Sequence, residues 1–396
     1  MVDLFEKCRE YHMQDEIRDK NIYPYFHALE SRQDTEVIME GKRRIMLGSN
    51  NYLGLTSCKE VIDAGVEALQ KYGTGCSGSR FLNGTMKLHL ELEAELAKFL
   101  RKDAVVTFST GFQTNLGIIS SIIGIGDYII MDAENHASLY DGCKLSYGKT
   151  MHYKHNDMAE LESCLQRVSE KKGCLIVTDG VFSMGGDIAN LPEICRLAEQ
   201  YGAKVMVDDA HALGVIGEGG RGTASYYGLE DKVDIYMGTF SKSLASLGGY
   251  MAASERVVDY VRHSSRPFMF SASIPPANAA SALAALRHLE AHPELPKRLG
   301  DISEYMRAKL SEYDVKMRPS NGNRVPIVPI YTCEPYETLT ITKELFDRGV
   351  YVNSSLPPAT PPDQCLLRTS LMATHTEALI DEAVGIIAQT LKEHHI

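Results

Sequence analysis

One lysine in this 396-residue chain lies in a stretch of small and hydroxylated residues. The stretch is GTFSKSLASLGGY, residues 238–250, and the lysine is Lys242. Lysine side chains are mostly exposed, whereas small residues let a ligand approach the backbone closely and hydroxyl groups can bind an anion. The stretch therefore predicts either a lysine that acts on an anionic ligand or a loop with an incidental lysine.

An aspartate and a histidine follow a predicted buried strand. The apolar run at 205–207 predicts this strand, Asp208 stands at its carboxyl end, and His211 follows three residues later. In open α/β sheets, ligands bind outside the carboxyl ends of the strands. A buried carboxylate needs a cation or hydrogen-bond donors, and a protonated ring nitrogen of a ligand would be such a partner. The alternative is an aspartate that caps a loop.

Two further stretches add a histidine and an anion site. His136 ends another predicted strand, where its ring could stack on a ligand or cap a helix. The stretch FSTGFQTN, residues 108–115, ends a strand in small residues and opens a helix, which predicts an anion site made of backbone N–H groups and the helix dipole. An anion cradle, a stacking ring, a buried carboxylate and a lysine suit pyridoxal 5′-phosphate (PLP), with Lys242 joined to its aldehyde as a Schiff base.

The composition is that of an ordinary soluble globular protein, with 44% hydrophobic and 23% charged residues. The net charge of −11 disfavours binding to nucleic acid or to an anionic membrane surface. The nine cysteines include no CxxC pair and no Cys/His cluster with zinc spacing, so we expect reduced thiols and no metal site. The charged N-terminus differs from a signal peptide and no apolar run is long enough to span a membrane, so we expect a cytoplasmic protein.

Short apolar strands alternate with helices from about residue 55 onwards. This alternation predicts an α/β fold whose central sheet is mainly parallel and covered on both faces. Before it, we expect an amphipathic helix over about residues 1–20 and a hairpin that turns at Glu40-Gly41. The predicted division of the chain is an N-terminal segment at 1–50, a large domain at 51–285 and a smaller α/β C-terminal domain at 286–396.

Two glycine-rich stretches match the pattern GxGxxG, GTGCSG at 73–78 and GEGGRG at 217–222. The dinucleotide-binding form of this pattern needs a strand before the turn and a helix after it. The first stretch follows a predicted helix, and the second comes after a long loop with no helix predicted at its end. A nicotinamide-dependent oxidoreductase is therefore disfavoured.

With these residues, the chain resembles the fold-type I PLP enzymes and, within them, the α-oxoamine synthases. The resemblance runs over nearly the whole chain, from NNYLGL to CLLRTSLMATHT. Within this family the chain is most similar to the bacterial serine palmitoyltransferases. The segments that carry the resemblance are NNYLGL at 50–55, GSRFLNGT at 78–85, HASLYDG at 136–142, DDAHALGV at 208–215, GTFSKS at 238–243, RPFMFSASIPP at 266–276, PPATP at 357–361 and CLLRTSLMATHT at 365–376.

The resemblance implies a role for each residue around the cofactor. Lys242 would bind the PLP aldehyde and remove the substrate Cα proton, Asp208 would pair with the ring nitrogen, and His211 would bond the phenolic oxygen. His136 would stack on the ring. The residues implied to hold the phosphate are Gly111, Phe112, Thr239 and Ser241, together with Ser271 from the other subunit of a homodimer.

For the substrate, the resemblance implies that Arg368 binds the carboxylate of the amino acid. Asn51, Ser79 and His136 would be polar groups near the same substrate. Three positions depart from the family pattern, and they are Asp209, where the family has Glu; Phe112, where Tyr is frequent; and Leu356, where serine palmitoyltransferases carry Arg. The last departure leaves Arg368 as the expected carboxylate ligand.

The implied reaction condenses L-serine with a long-chain acyl-CoA such as palmitoyl-CoA. Its products would be 3-ketodihydrosphinganine, CO₂ and CoA, the first step of sphingolipid biosynthesis. The alternatives are a sister synthase, such as a glycine-using 2-amino-3-ketobutyrate CoA ligase or an 8-amino-7-oxononanoate synthase, and a non-catalytic subunit of the same fold, which Lys242 argues against. The segments RPFMF and SSLPPATP could line a groove for the acyl chain or belong to the core, and any membrane association would be peripheral.

Overall fold

A computed structural model describes residues 2–168, 172–332, 334–357, 359–360 and 364–396. The helices are α1 (Glu6–Arg9), α2 (Met13–Asp19), α3 (Lys59–Tyr72), α4 (Lys87–Leu100), α5 (Gly111–Ile122), α6 (Ala137–Leu145), α7 (Met158–Gln166), α8 (Leu191–Tyr201), α9 (Thr223–Tyr227), α10 (Glu255–Ser264), α11 (Arg266–Met269), α12 (Pro276–Ala291), α13 (Leu295–Glu312), α14 (Pro335–Asp347) and α15 (Glu377–Glu393). The strands are β1 (Glu36–Met39), β2 (Lys42–Met46), β3 (Ala104–Phe108), β4 (Tyr128–Asp132), β5 (Lys149–Tyr153), β6 (Cys174–Asp179), β7 (Lys204–Asp208), β8 (Ile235–Thr239), β9 (Gly249–Ala253), β10 (Ile327–Tyr331), β11 (Val350–Tyr351), β12 (Asn353–Ser355) and β13 (Leu366–Ser370).

A seven-stranded sheet forms the centre of the molecule, in the order β3-β9-β8-β7-β6-β4-β5. Strand β9 is antiparallel to both of its neighbours, and the other six strands run in one direction. The predicted mainly parallel sheet is therefore confirmed. Because the parallel strands end at one edge, the residues that follow β3, β4, β6, β7 and β8 meet there.

Both faces of this sheet are buried. Successive side chains of a strand point to opposite faces, so Val205 and Val207 pack into one apolar cluster with α4, α7, α8 and α12, while Met206 packs into another with α5, α6 and α10. A strand that is buried on both faces reads as a continuous apolar run. This is why the inner strands of the sheet could be found from sequence, whereas the edge strand β5 (KTMHY) is largely outside the core.

Two three-stranded sheets complete the fold. The predicted hairpin is confirmed as β1 and β2, with Glu40 and Gly41 at φ 52° and 67° in its turn, the backbone that a tight two-residue hairpin requires. Strand β2 also pairs with β11 of the C-terminal part, and β10, β13 and β12 form the second small sheet.

The predicted domain boundaries cross these elements. Helix α12 runs through the boundary at 285/286, and the hairpin of the segment 1–50 joins a sheet with the C-terminal part. The division into 1–50, 51–285 and 286–396 therefore stays a prediction. Among the described helices, none combines the length and the apolar character needed to cross a membrane.

Two local predictions were wrong. The single helix expected over about residues 1–20 is broken into α1 and α2, and Ile17 alone is buried in the two helices together. Such short helices depend on packing for their stability, and here little of their surface is packed. A helix also begins at Thr223, directly after the second glycine-rich stretch, where none was expected.

Candidate active site

A cavity of about 280 Å³ opens at the carboxyl edge of the central sheet. It is bounded by the loops that follow β3, β4, β6, β7 and β8, so residues far apart in sequence share one wall. The residues that line it are Thr110, Gly111, Phe112, Asn115, His136, Ser138, Asp179, Asp208, Ala210, His211, Met237, Thr239, Ser241, Lys242 and Leu247. The structure thus brings together eight of the predicted residues, namely Lys242, His136, Asp208, His211, Gly111, Phe112, Thr239 and Ser241.

The first turn of α5 forms one end of the cavity. Thr110 caps this helix by accepting a hydrogen bond from the Gln113 amide at 3.1 Å, and the amides of the first turn point out of the helix with its positive dipole end. The hydroxyl groups of Thr239 and Ser241 lie 2.9 Å apart beside it. A Cβ atom on Gly111 would lie 2.8 Å from Thr239 Oγ1, so this position has room only for glycine. Backbone amides and hydroxyls of this kind suit a phosphate group.

Asp208 lies deep in the cavity with both carboxylate oxygens bonded. Oδ2 accepts a hydrogen bond from Asn115 Nδ2 at 2.7 Å, and Oδ1 accepts one from the Ala210 amide at 2.9 Å. The second bond caps the loop that follows β7. Asp208 therefore combines the two expected roles, since it caps this loop and also lines the cavity.

Asp179 stands beside Asp208, because β6 and β7 pair in register at these two residues. Burial, with the neighbouring Asp208 charge, raises the pKa of Asp179 well above its usual range, so its neutral form is favoured.

His136 caps a helix and also lines the cavity. Its Nδ1 atom lies 2.7 Å from Ser138 Oγ and accepts a hydrogen bond from the Ser138 amide at 3.3 Å. The ring meets that of Phe112 edge to face, with 6.3 Å between the ring centres. Burial lowers the pKa of His136. The two functions considered for this histidine are therefore compatible, since the cap fixes the ring at the wall of the cavity.

Lys242 places its amine among the carboxylates of the cavity. Burial lowers the pKa of Lys242 to about 8, although Asp208 and Asp179 favour the charged form. A lysine must be neutral to attack a carbonyl group, and the lowered pKa makes more neutral amine available near physiological pH than an exposed lysine has. The geometry and the charge therefore both fit a nucleophilic lysine.

A chain of hydrogen bonds runs from His211 to Arg368 through a residue that the sequence analysis missed. The hydroxyl of the buried Tyr52 lies 2.6 Å from His211 Nδ1 and accepts a hydrogen bond from Arg368 Nη2 at 3.4 Å. Burial, together with the charges of Lys242 and Arg368, lowers the pKa of His211 well below its usual range. Tyr52 belongs to the quoted NNYLGL segment, but its partners lie more than 150 residues away in the chain.

Arg368 is buried and held by three oxygen acceptors. Besides Tyr52, it donates to the Asn50 Oδ1 atom at 3.0 Å and to the Ser183 carbonyl at 2.6 Å. Within the described ranges, these three partners are uncharged oxygens, and none of them is a carboxylate. A buried guanidinium without such a partner suits a carboxylate ligand, which it can bind through two hydrogen bonds.

Four predicted residues lie outside the lining of the cavity, and they are Arg368, Asn51, Ser79 and Ser271. The Asn51 amide donates to Thr56 Oγ1 at 2.7 Å, and it is the neighbouring Asn50 that contacts Arg368. Ser271 accepts a hydrogen bond from Gln113 Nε2 at 3.0 Å. Ser79 is buried and forms a backbone bridge with Ala272. The roles of these four residues, like the roles given to the residues of the cavity, stay predictions.

The cavity contains three further polar residues that sequence reasoning missed, Asp179, Asn115 and Ser138. Asp179 ends the run CLIVTD just as Asp208 ends KVMVD, so the rule that found Asp208 applies equally to Asp179. Asn115 follows Gly111 by four residues and therefore lies on the same face of α5.

The second glycine-rich stretch has a structural role. Asp209 accepts hydrogen bonds from the Thr223 hydroxyl at 2.6 Å and the Thr223 amide at 3.1 Å, and a Cβ atom on Gly222 would lie 2.2 Å from Asp209 Oδ2. The segment PPATP, residues 357–361, was expected to line an acyl groove or to belong to the core. Its residues Pro358 and Pro361 lie outside the described residues.

Comparison with known proteins agrees with this geometry. Residues 42–387 match the family model of the class I and II aminotransferases. A serine palmitoyltransferase of Sphingobacterium spiritivorum is 49% identical over 99% of this chain and 98% of its own. An 8-amino-7-oxononanoate synthase of Thermoanaerobacter pseudethanolicus is 40% identical over 96% of both chains. A high-resolution structure of SPT with a PLP internal aldimine superposes with a TM-score of 0.96, at 36% identity over 99% of each chain. The chain therefore belongs to the class I and II aminotransferase family and, within it, to the α-oxoamine synthases, in the branch of the serine palmitoyltransferases.

Proposed function

We propose that this chain is a PLP-dependent acyltransferase that condenses L-serine with a long-chain acyl-CoA, with loss of CO₂ and CoA. The observation that carries the proposal is a lysine and an arginine near one cavity. The Lys242 amine has a lowered pKa, and the charge of the buried Arg368 is close enough to contribute to that lowering. A lysine for the cofactor and a guanidinium for the substrate carboxylate are what a PLP enzyme acting on amino acids needs.

The residues present fit PLP. The first turn of α5, with Thr239 and Ser241, would hold the phosphate, and the absence of a side chain at Gly111 lets the Thr239 hydroxyl approach this turn. Asp208 would hold a proton on the ring nitrogen, and His136 would lie against the ring. When bound, PLP withdraws electrons from the Cα atom of an amino acid attached to it.

The side chains of the protein account for the handling of protons and charge. The Lys242 amine takes the Cα proton of serine, and Arg368 holds the serine carboxylate until it leaves as CO₂. A carbon–carbon bond forms between Cα and the thioester carbonyl while the carbon–sulfur bond to CoA breaks. The bond from Cα to the carboxylate then breaks with loss of CO₂, Lys242 returns its proton to Cα, and the CoA thiolate takes a proton from solvent. The hydroxyl of Tyr52 bonds both His211, which lines the cavity, and Arg368, and so fixes the position of the guanidinium relative to the cavity.

The test is the substrate pair that supports CoA release from the purified holoenzyme. We expect L-serine with palmitoyl-CoA to exceed glycine or L-alanine with the same thioester by at least about tenfold in kcat/KM, because a site that bonds a substrate hydroxyl discriminates strongly against its absence. Acetyl-CoA and succinyl-CoA should release little CoA. Equal turnover of glycine with acetyl-CoA would instead assign the chain to the sister synthases.

We propose further that the enzyme is a homodimer in the cytoplasm, with Ser271 of each subunit directed to the phosphate of the other. Phe270, next to Ser271, is 77% exposed, and Leu82 is 75% exposed, which supports a partner surface at this place. Cys8, Cys58 and Cys76 are among the free thiols, as expected for a reducing compartment.

A further inference from the structure

Three side chains of different chemistry meet on the surface, away from the active site. Cys58 directly precedes α3, Glu60 lies in its first turn, and His288 lies in the last turn of α12. Cys58 Sγ is 2.9 Å from Glu60 Oε2 and 3.8 Å from His288 Nδ1, and one ligand atom from each residue lies within 4.8 Å of the others. We call these three residues the Cys58 cluster.

The Cys58 cluster brings three possible ligand atoms close together, although Cys58 Sγ and Glu60 Oε2, now 2.9 Å apart in a hydrogen bond, would have to separate by about 0.6 Å around a zinc ion. Zinc binds thiolate sulfur at about 2.3 Å and imidazole nitrogen at about 2.0 Å, which in a tetrahedron separates the two ligand atoms by about 3.5 Å. The observed 3.8 Å between Cys58 Sγ and His288 Nδ1 needs only a small adjustment. Without an ion, the Cys58 thiol makes hydrogen-bond contacts with both Glu60 and His288, and these contacts hold the three ligand atoms together.

We propose that Cys58, Glu60 and His288 bind one divalent transition-metal ion, with Zn²⁺ as the ion that this set of sulfur, nitrogen and oxygen ligands suits. A water molecule would occupy the fourth position. The ring of His292 lies 4.3 Å from that of His288.

The ion would join two helices that are distant in sequence. Helix α3 follows the NNYLGL segment that carries Tyr52, and α12 spans residues 276–291, so the bound ion would act as a cross-link between them. An ion that binds the folded state and not the unfolded chain stabilises the fold in proportion to the logarithm of its concentration. The expected role is therefore structural, and it does not depend on the proposed reaction.

The test measures Zn²⁺ retained by the untagged holoenzyme after gel filtration, and the visible absorption of Co²⁺ in its place. We expect one Zn²⁺ per chain, a Co²⁺ spectrum with a thiolate charge-transfer band, and a Tm that rises with Zn²⁺. Cys58→Ser and His288→Ala should each weaken Zn²⁺ binding by about 100-fold, and both should abolish the rise in Tm. Cys8→Ser and His263→Ala, which change an exposed cysteine and an exposed histidine, are the matched controls and should behave as wild type.

Two results would overturn the proposal. One is a wild-type chain that retains no Zn²⁺ at micromolar concentrations of the free ion. The other is equal Zn²⁺ binding by wild type, Cys58→Ser and His288→Ala, which would place the ion at another site. The PLP absorbance of each variant, compared with wild type, shows whether the variant has folded.

Discussion

Lys242 owes its chemistry to where its side chain ends rather than to its type alone. The amine lies in a cavity with Asp208 and Asp179, and burial lowers its pKa to about 8 in spite of both carboxylates. An exposed lysine with the usual pKa of about 10.4 would carry almost no neutral amine at pH 7. The residues around Lys242 are small, so they leave space for a ligand next to the backbone.

The first prediction concerns Lys242→Ala. The variant should fold and still take up PLP without a covalent bond, but lose at least about 1000-fold in activity, because both the attachment point and the proton acceptor are gone. Mass spectrometry after borohydride reduction and denaturation should find PLP on the wild-type chain and none on the variant. Lys232→Ala, at an exposed lysine, is the control. Near wild-type turnover by Lys242→Ala would disprove the assignment.

The second prediction separates two adjacent carboxylates. Asp208→Asn should retain the cofactor but reduce kcat by about 100-fold or more, since the charge that would hold the ring proton is lost. Asp209→Asn is the matched control, because Asp209 bonds to Thr223 and not to the cavity; it should change the Tm with kcat close to wild type. Steady-state kinetics of both variants test this, and an equal loss in both would contradict the role given to Asp208.

A third prediction concerns the hydroxyl of Tyr52. Tyr52→Phe removes one partner from both His211 and Arg368, so we expect a higher KM for L-serine together with weaker PLP binding, and a loss of about 1 kcal/mol in the free energy of unfolding. Tyr250→Phe is the control, because the buried Tyr250 hydroxyl has no hydrogen-bond partner among the described residues. A Tyr52→Phe variant that changes stability but neither KM nor PLP affinity would show a purely structural role.

At the scale of elements, His155 joins two loops that follow strands of the central sheet. His155, which follows β5, bonds Asp132 Oδ1 at the end of β4 at 3.0 Å and also bonds Asp187 Oδ2. Burial opposes a charge on His155, but the hydrogen bonds to Asp132 and Asp187 outweigh it and raise the pKa to about 10. A protonated His155 therefore connects two loops at the same edge of the sheet as the cavity.

The fourth prediction follows from this raised pKa. Stability from His155 is present in full below the unfolded pKa of about 6.5 and is lost as the pH rises through about 10. The free energy of unfolding of wild type should exceed that of His155→Gln by about 3 kcal/mol near pH 6.5, and the difference should shrink towards pH 10. Urea unfolding at both pH values measures this. A difference that stays constant or grows with pH would contradict the charged state of His155.

The whole molecule raises the question of which chain supplies Ser271 to each site. Within one chain, Ser271 contacts Gln113 of α5 and does not line the cavity. A closed two-fold dimer would bring the same residue of each subunit to the other. The exposed Phe270 beside it is consistent with that arrangement.

The fifth prediction uses mixed dimers. Lys242→Ala and Ser271→Asp should each be inactive alone, the second because a carboxylate would repel the phosphate. Co-expressed with two different tags, the two chains should form dimers with one intact site, and random mixing restores about a quarter of wild-type activity. If Ser271 acted within its own chain, every site of the mixed dimer would carry one defect and no activity would return.

Local patterns in the sequence were enough for much of the fold. Most strands of the central sheet are apolar runs, although the edge strand β5 (KTMHY) is not, and the hairpin turn at Glu40-Gly41 depends only on its own backbone. The order of the strands and the antiparallel β9 could not be predicted in this way, since they depend on contacts between segments far apart in sequence. The break in the N-terminal helix could not be predicted from local patterns either, because the stability of such a helix depends on packing.

The sequence by itself determined the identities and the approximate places of Lys242, Asp208, His136 and the first turn of α5. Each of them follows from a strand end, a helix start or a run of small residues, which are local features of the chain. The tertiary structure alone decided which side chains meet, such as Tyr52 with His211 and Arg368, or Cys58 with His288. It also decided the pKa of Lys242, because burial and neighbouring charges come from residues brought together only by folding.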